Sequence, residues 1–137
     1  AGTTSAFSNG GNLPSGSESD CDGDLMLDDG SYLDRIGWYC GNGSSATHAK
    51  GGRDANPWGL HDMHGNVYEW CHDVWDGRDY DTAAVANPVG TDGGTGRRVA
   101  RGGSWHSHPK NLRSAFRNEV TATSDYVYLG FRLAKSE

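Results

Sequence analysis

Asp62 and Glu69 stand seven residues apart in the run Asn56-Pro57-Trp58-Gly59-Leu60-His61-Asp62-Met63-His64-Gly65-Asn66-Val67-Tyr68-Glu69-Trp70-Cys71. Carboxylates at that interval, on a chain that Gly59 and Gly65 allow to bend sharply, can join freed backbone carbonyls in an oxygen-rich cage for a hard cation such as calcium. Pro57 fixes its own φ and holds Asn56 extended, which places the first bend. The same residues also suit an arrangement without metal, in which Asp62 caps a single helical turn and Glu69 pairs with an arginine. Residue types alone leave both open.

Other side chains could do chemistry, and their spacing argues against most of it. His106 and His108 are two apart, as on one face of a strand, and His61 and His64 three apart, as on a helical turn. A zinc site needs three or four convergent ligands with an ordered second shell, and nothing in the sequence joins the two pairs. Ser104 and Ser107 lie near histidines, but no nucleophile elbow or acidic orienter accompanies them, so they read as ordinary surface serines. Asp20, Asp22, Asp24, Asp28 and Asp29 suggest a calcium loop only superficially. The segment lacks the glycine at position six and the glutamate at position twelve of an EF-hand, and reads as a solvated acidic loop.

These residues must be positioned by a small, loop-rich unit. Only 34% of the 137 residues are hydrophobic, and 21 are glycine. Five tryptophans and six tyrosines must therefore centre the core, each burying roughly 150–250 Å². The net charge of -6 argues against a general nucleic-acid or anionic-membrane partner, which would call for a basic stripe. No apolar run approaches the roughly 18 residues of a membrane span. The partner expected is a protein or a glycan.

Three cysteines allow one internal bridge. Joining Cys21 to Cys40 would close a loop of about 20 residues, worth roughly 3 kcal/mol, and would favour a secreted or cell-surface location. Cys71, in the densest aromatic run, reads as a buried small hydrophobe.

Residues 1–31 read as loop, anchored only by Phe7, Leu13, Leu25, Met26 and Leu27. Tyr32–Cys40 reads as a helical turn leading into an extended segment, with Leu33, Ile36 and Trp38 buried. Turn formers dominate around Tyr80, Asn87-Pro88 and Thr91–Gly96. Arg98–Trp105 reads as a strand ending in a double-glycine bend, Asn111–Arg117 as a strand or short helix, and Leu129–Ala134 as a closing strand with Phe131 and Leu133 on one face.

Five ordered blocks carry a resemblance over about half the chain. Asn56-Pro57-Trp58-Gly59-Leu60, Asp62-Met63-His64-Gly65-Asn66-Val67-Tyr68-Glu69-Trp70, Arg101-Gly102-Gly103-Ser104-Trp105, Arg113-Ser114-Ala115 with Arg117, and Gly130-Phe131-Arg132-Leu133 resemble the formylglycine-generating enzyme (sulfatase-modifying factor) family. The resemblance implies an α+β, C-type-lectin-like fold, loop-rich, with short strands and few helices. It implies that residues 1–137 form the C-terminal portion of one such domain, whose upstream residues were removed by processing or proteolysis or sit on another chain. It also implies a structural calcium on Asp62, Gly65, Val67 and Glu69, where the family usually has an amide at the first of these positions. The family includes copper-dependent oxidases that use a cysteine pair in the segment beginning Gly-Gly-Ser. Here no cysteine follows Cys71, so the soft Cu(I) site of those oxidases cannot form there.

The family also includes non-catalytic binding domains, among them the variable proteins of diversity-generating retroelements. Between its patterned blocks this chain has a surface suited to recognition: His106, Ser107, His108, Lys110, Asn111, Phe116, Asn118, Val120, Thr121, Ser124, Asp125, Tyr126, Val127 and Tyr128. Tyrosine gives rigid contact area, while serine and asparagine adapt their hydrogen bonds. Every residue from Val120 to Leu129 belongs to the set encoded by codons ending in C that diversification at asparagine codons leaves, whereas Lys110 and Glu119 do not. The expectation is a ligand-binding or display domain that does no chemistry. The competing class is an oxidase or accessory maturation enzyme with its active groups upstream.

Overall fold

The computed structural model of the chain describes residues 4–77 and 96–133. The turn-rich stretch around Tyr80, Asn87-Pro88 and most of Thr91–Gly96 lies outside the described residues, as does Ala134. Among the described residues six short strands carry the architecture: β1 Gly37–Trp38, β2 His64–Gly65, β3 Tyr68–Val74, β4 Arg97–Arg101, β5 Asn118–Thr121 and β6 Leu129–Gly130. Two 3-10 turns, Leu33–Arg35 and Pro109–Leu112, supply the helical content among the described residues.

β3 and β4 lie at the centre of a four-stranded sheet ordered β5-β4-β3-β6. β4 runs antiparallel to both of its neighbours, with Glu69 opposite Arg101 and Val99 opposite Glu119, while β6 joins β3 in parallel with Glu69 opposite Gly130. Val99 and Ala100 point to opposite faces of β4, and both are fully buried, so the sheet is covered on both sides at its centre. A separate parallel pair, β1 with β2, sets Trp38 beside Gly65.

Among the described residues two apolar clusters fill the interior. One joins Phe7, Leu25, Leu27, Leu33, Ile36, Tyr39 and Leu112, and the other centres on Tyr68, Ala100 and Val120 with Trp70, Phe116, Tyr128 and Leu129 against it. The irregular N-terminal third is thus part of the core. Full burial of Phe7 alone is worth about 1.5–3 kcal/mol. Side chains replace regular backbone pairing there: Asp28 Oδ1 accepts from the Asn12 amide at 2.7 Å and Asn12 Oδ1 from the Ala6 amide at 2.7 Å. Cys21 and Cys40 are joined in a disulfide, and Cys71 is free and half-buried.

Several expectations are corrected at the level of single residues. The 3-10 turn and extended segment of Tyr32–Cys40 are present, but Tyr39, rather than Trp38, enters the core. Asn111–Arg117 is not a strand: Pro109 presets the φ of a 3-10 turn ending at Leu112, and β5 starts only at Asn118. The closing strand stops at Gly130, where the chain leaves the sheet, so Phe131 is 73% exposed and Leu133 is also exposed. Trp58 is 54% exposed, at the tip of a turn that Asn56 closes by accepting from the amides of Trp58 and Leu60, both at 3.0 Å.

Candidate functional site

The Asp62–Glu69 segment is bent by a run of unusual backbone. Asp62, Gly65 and Asn66 have φ of 55°, 81° and 65°, in the left-handed region that L side chains seldom adopt. At Gly65 the need for glycine is absolute, because an added Cβ would collide with the Trp38 carbonyl across the β1-β2 pair. Asn66 tolerates its conformation because its side chain is stapled at both ends. Its Oδ1 accepts from the His48 amide at 2.9 Å, and its Nδ2 donates to the His48 carbonyl at 3.0 Å.

His64 ties three distant segments behind this bend. The buried ring donates from Nδ1 to the Leu112 carbonyl at 2.8 Å and accepts at Nε2 from the Ser8 amide at 3.1 Å and the Ser8 hydroxyl at 2.9 Å. Burial pushes its pKa below the usual histidine value, so the ring is held neutral. Sequence reasoning placed His64 next to a metal cage and missed this bracing role; only the Ser8 and Leu112 partners, remote in sequence, reveal it.

In front of the bend Asp62 and Glu69 converge on one guanidinium. Arg132 Nε donates to both Glu69 oxygens at 3.0 Å, and Arg132 Nη2 donates to Glu69 Oε1 at 2.7 Å and to the Asp62 carbonyl at 3.1 Å. These bonds raise the pKa of Arg132 further above its already high value. Asp62 Oδ2 accepts from the Gly51 amide, while Asp62 Oδ1 is buried without a hydrogen-bond partner among the described residues. A buried carboxylate oxygen left alone is costly, and a cation would satisfy it. The Gly65 and Val67 carbonyls expected from the family resemblance would make the donor set all oxygen, as a hard ion requires. Arg132 already takes part of the Glu69 charge, so an ion here would share that carboxylate with a neighbouring cation.

The 106–128 interval divides in two. Trp105, His106, Tyr128 and Tyr126 form a continuous aromatic strip, with ring centroids 4.9, 4.4 and 5.1 Å apart in that order, the last pair nearly parallel. Ser104 Oγ meets His106 Nδ1 at 3.0 Å and holds that ring. Tyr126 is 49% and Val127 79% exposed. Lys110, Thr121 and Asp125 are exposed, and Asn111, Phe116, Asn118, Ser124 and Tyr128 half-buried.

Ser107 and Val120 lie inside, behind this surface. Ser107 Oγ accepts from the Ser104 amide at 3.0 Å and donates to the Tyr68 hydroxyl at 3.2 Å, and Val120 is in the second core cluster. His108 does not share a face with His106: the segment is a turn rather than a strand, and His108 instead meets Ser19 and the Cys21–Cys40 bridge.

Residues 16–137 match the family of the sulfatase-modifying factor enzyme 1-like domain. A serine/threonine-protein kinase, pkn1, of Chlamydia caviae is 46% identical over 84 residues, covering 59% of this chain and 13% of the kinase. The formylglycine-generating enzyme of Thermomonospora curvata is 38% identical over 85 residues, covering 58% of this chain and 28% of that enzyme. Among solved structures, Treponema denticola variable protein 1 superposes with a TM-score of 0.68 at 28% identity, covering 84% of this chain and 41% of that one. The chain thus spans less than half the length of each of these relatives. No helix among the described residues is long and apolar enough to cross a membrane.

Proposed function

The chain belongs to the sulfatase-modifying factor enzyme 1-like domain family and has its loop-rich, C-type-lectin-like fold, and on that premise we propose that it is a non-catalytic ligand-binding or display domain. The observation that carries this reading is the aromatic strip Trp105-His106-Tyr128-Tyr126, continued by exposed Val127. Such a strip offers rigid contact area at small cost in side-chain entropy, on a backbone held by the Gly103 bend and the β3-β6 pair. The likeness to a variable protein supports a surface altered by diversification.

A calcium on Asp62, Gly65, Val67 and Glu69 completes the proposal. The lone Asp62 Oδ1 supports it. The ion would be structural, pinning the left-handed bend that holds β2 and β3 in place.

The absence of cysteine from Gly102 onward supports the non-catalytic half of the reading. The likeness to a formylglycine-generating enzyme favours the competing one, an oxidase with active groups upstream. One experiment separates them: screen the parent chain against protein and glycan arrays, then repeat with His106, Tyr126 and Val127 replaced by serine. Lost binding with native melting supports recognition by the strip. Aldehyde formation on a sulfatase-derived cysteine peptide, with copper and oxygen, would instead establish the oxidase.

A further inference from the structure

A second cluster of chemistry-bearing residues lies apart from both regions. The ligand atoms of Cys21, Cys40 and His108 all fall within 4.8 Å of one another. His108 Nδ1 is 3.2 Å from Cys21 Sγ and 3.9 Å from Cys40 Sγ. Three segments remote in sequence meet here, and hydrogen bonds outside the bridge also join them. Lys110 donates its amide to the Glu18 carbonyl, Cys40 its amide to the Ser107 carbonyl, and Tyr39 its hydroxyl to the Asp22 carbonyl, each at 3.1 Å. Breaking the sulfur–sulfur bond therefore leaves both sulfurs beside the imidazole.

We propose that the Cys21–Cys40 disulfide is a redox-gated zinc site: reduced by a dithiol, its two sulfurs and His108 Nδ1 bind one Zn²⁺. The distances suit the ion. Zinc–sulfur and zinc–nitrogen bonds of about 2.3 and about 2.0 Å in a tetrahedron set sulfur roughly 3.5 Å from nitrogen and roughly 3.8 Å from sulfur. The two sulfur–nitrogen separations already bracket the first value; only the sulfurs must part. Two thiolates and an imidazole are a borderline-soft set that selects zinc over calcium, and so differ from the oxygen cage at Asp62. Glu18, Asp20, Asp22 and Asp24 surround Cys21 in sequence and draw cations to the loop. His108 is exposed, which leaves the fourth coordination position open to water.

The steps balance. Two electrons from the dithiol break the Cys21–Cys40 bond, two protons end on the freed sulfurs, and the dithiol becomes a disulfide. Zinc then displaces those two protons as both thiolates coordinate. His108 now donates from Nδ1 to the Ser19 carbonyl at 3.1 Å; on binding it moves that proton to Nε2 and gives up the bond.

Cobalt(II), a spectroscopic substitute for zinc, tests this on the whole untagged chain with Cys71→Ser to silence the free thiol. The reduced protein is expected to bind one cobalt with a near-ultraviolet thiolate charge-transfer band, to exchange it for zinc, and to release it on reoxidation. The oxidised protein is expected to show no such band, and His108→Ala to weaken zinc binding by about tenfold or more. Near-ultraviolet circular dichroism of the reduced chain should stay native. The proposal is overturned if the reduced protein shows no charge-transfer band, or if oxidised and reduced forms bind alike. It is equally overturned if binding ignores His108, whether the reduced chain is folded or not.

Discussion

Arg132 reaches back 63 residues to hold both carboxylate oxygens of Glu69, with contacts of 2.7 to 3.0 Å. It is a fork-on-carboxylate contact, and the same guanidinium also donates to the Asp62 carbonyl. One side chain thus ties the end of the described chain to the strained bend before β3. Arg132→Ala should destabilise the fold by about 1–2 kcal/mol, the value for a charge-assisted pair discounted for its partial exposure. Arg132→Lys should recover only part of that loss, because an ammonium cannot reproduce the fork. Denaturant midpoints of the three proteins decide the point; equal midpoints for parent and Arg132→Ala would show the pair to be ornamental.

Calcium removal should lower the melting temperature. An ion that binds only the native state contributes about 2.7 kcal/mol at a hundred times its dissociation constant. Asp62→Ala should abolish the difference between chelator and excess calcium. Melting curves that superimpose with and without calcium in the parent chain would remove the ion from Asp62 and Glu69.

Acid should weaken the fold through His64. Its folded-state pKa is depressed by burial below the unfolded value of about 6.5, so the unfolded chain takes up the proton first. The contribution of the neutral ring is fully present above about pH 6.5 and is lost as pH falls from there through the folded-state pKa. Urea midpoints between pH 7.5 and pH 5, each an approximate bound on that window, should fall in the parent chain and less steeply in His64→Gln. Identical slopes would mean that other groups govern the acid limb.

Tyr126 and Tyr128 are stacked on each other but differ in depth. Tyr128 packs against the second core cluster and its carbonyl accepts from the Tyr68 amide at 2.8 Å, whereas Tyr126 is 49% exposed. Tyr128→Ala should cost about 1–3 kcal/mol, and Tyr126→Ala less than about 0.5 kcal/mol. Both should impair recognition by the strip. A loss of stability at Tyr126 as large as at Tyr128 would make the pair core rather than surface.

Much of this protein is determined by its sequence alone. The five motif blocks identify the family, and glycines at left-handed positions such as Gly65 are fixed there by a backbone conformation that other residues seldom adopt. Cys21 and Cys40 form the one internal bridge that three cysteines allow, and Phe7, Leu25 and Leu27 anchor the irregular N-terminal third. Each of these is a local constraint or a scarce apolar residue with nowhere else to go. Tertiary structure alone decided the rest. Ser107 and Val120 have the residue types of a recognition surface, yet one is held by Ser104 and Tyr68 and the other is buried beside Tyr68 and Ala100. Phe131 looks like core and stands in solvent because β6 ends one residue earlier. His106 and His108, two residues apart, part company in a turn, one to Tyr128 and the other to Cys21. The choice of an arginine for Glu69 likewise lay with a residue 63 positions away. Burial and pairing are set by whichever remote segments the fold brings alongside, and in a chain so rich in loops no short-range periodicity reports which segments those are.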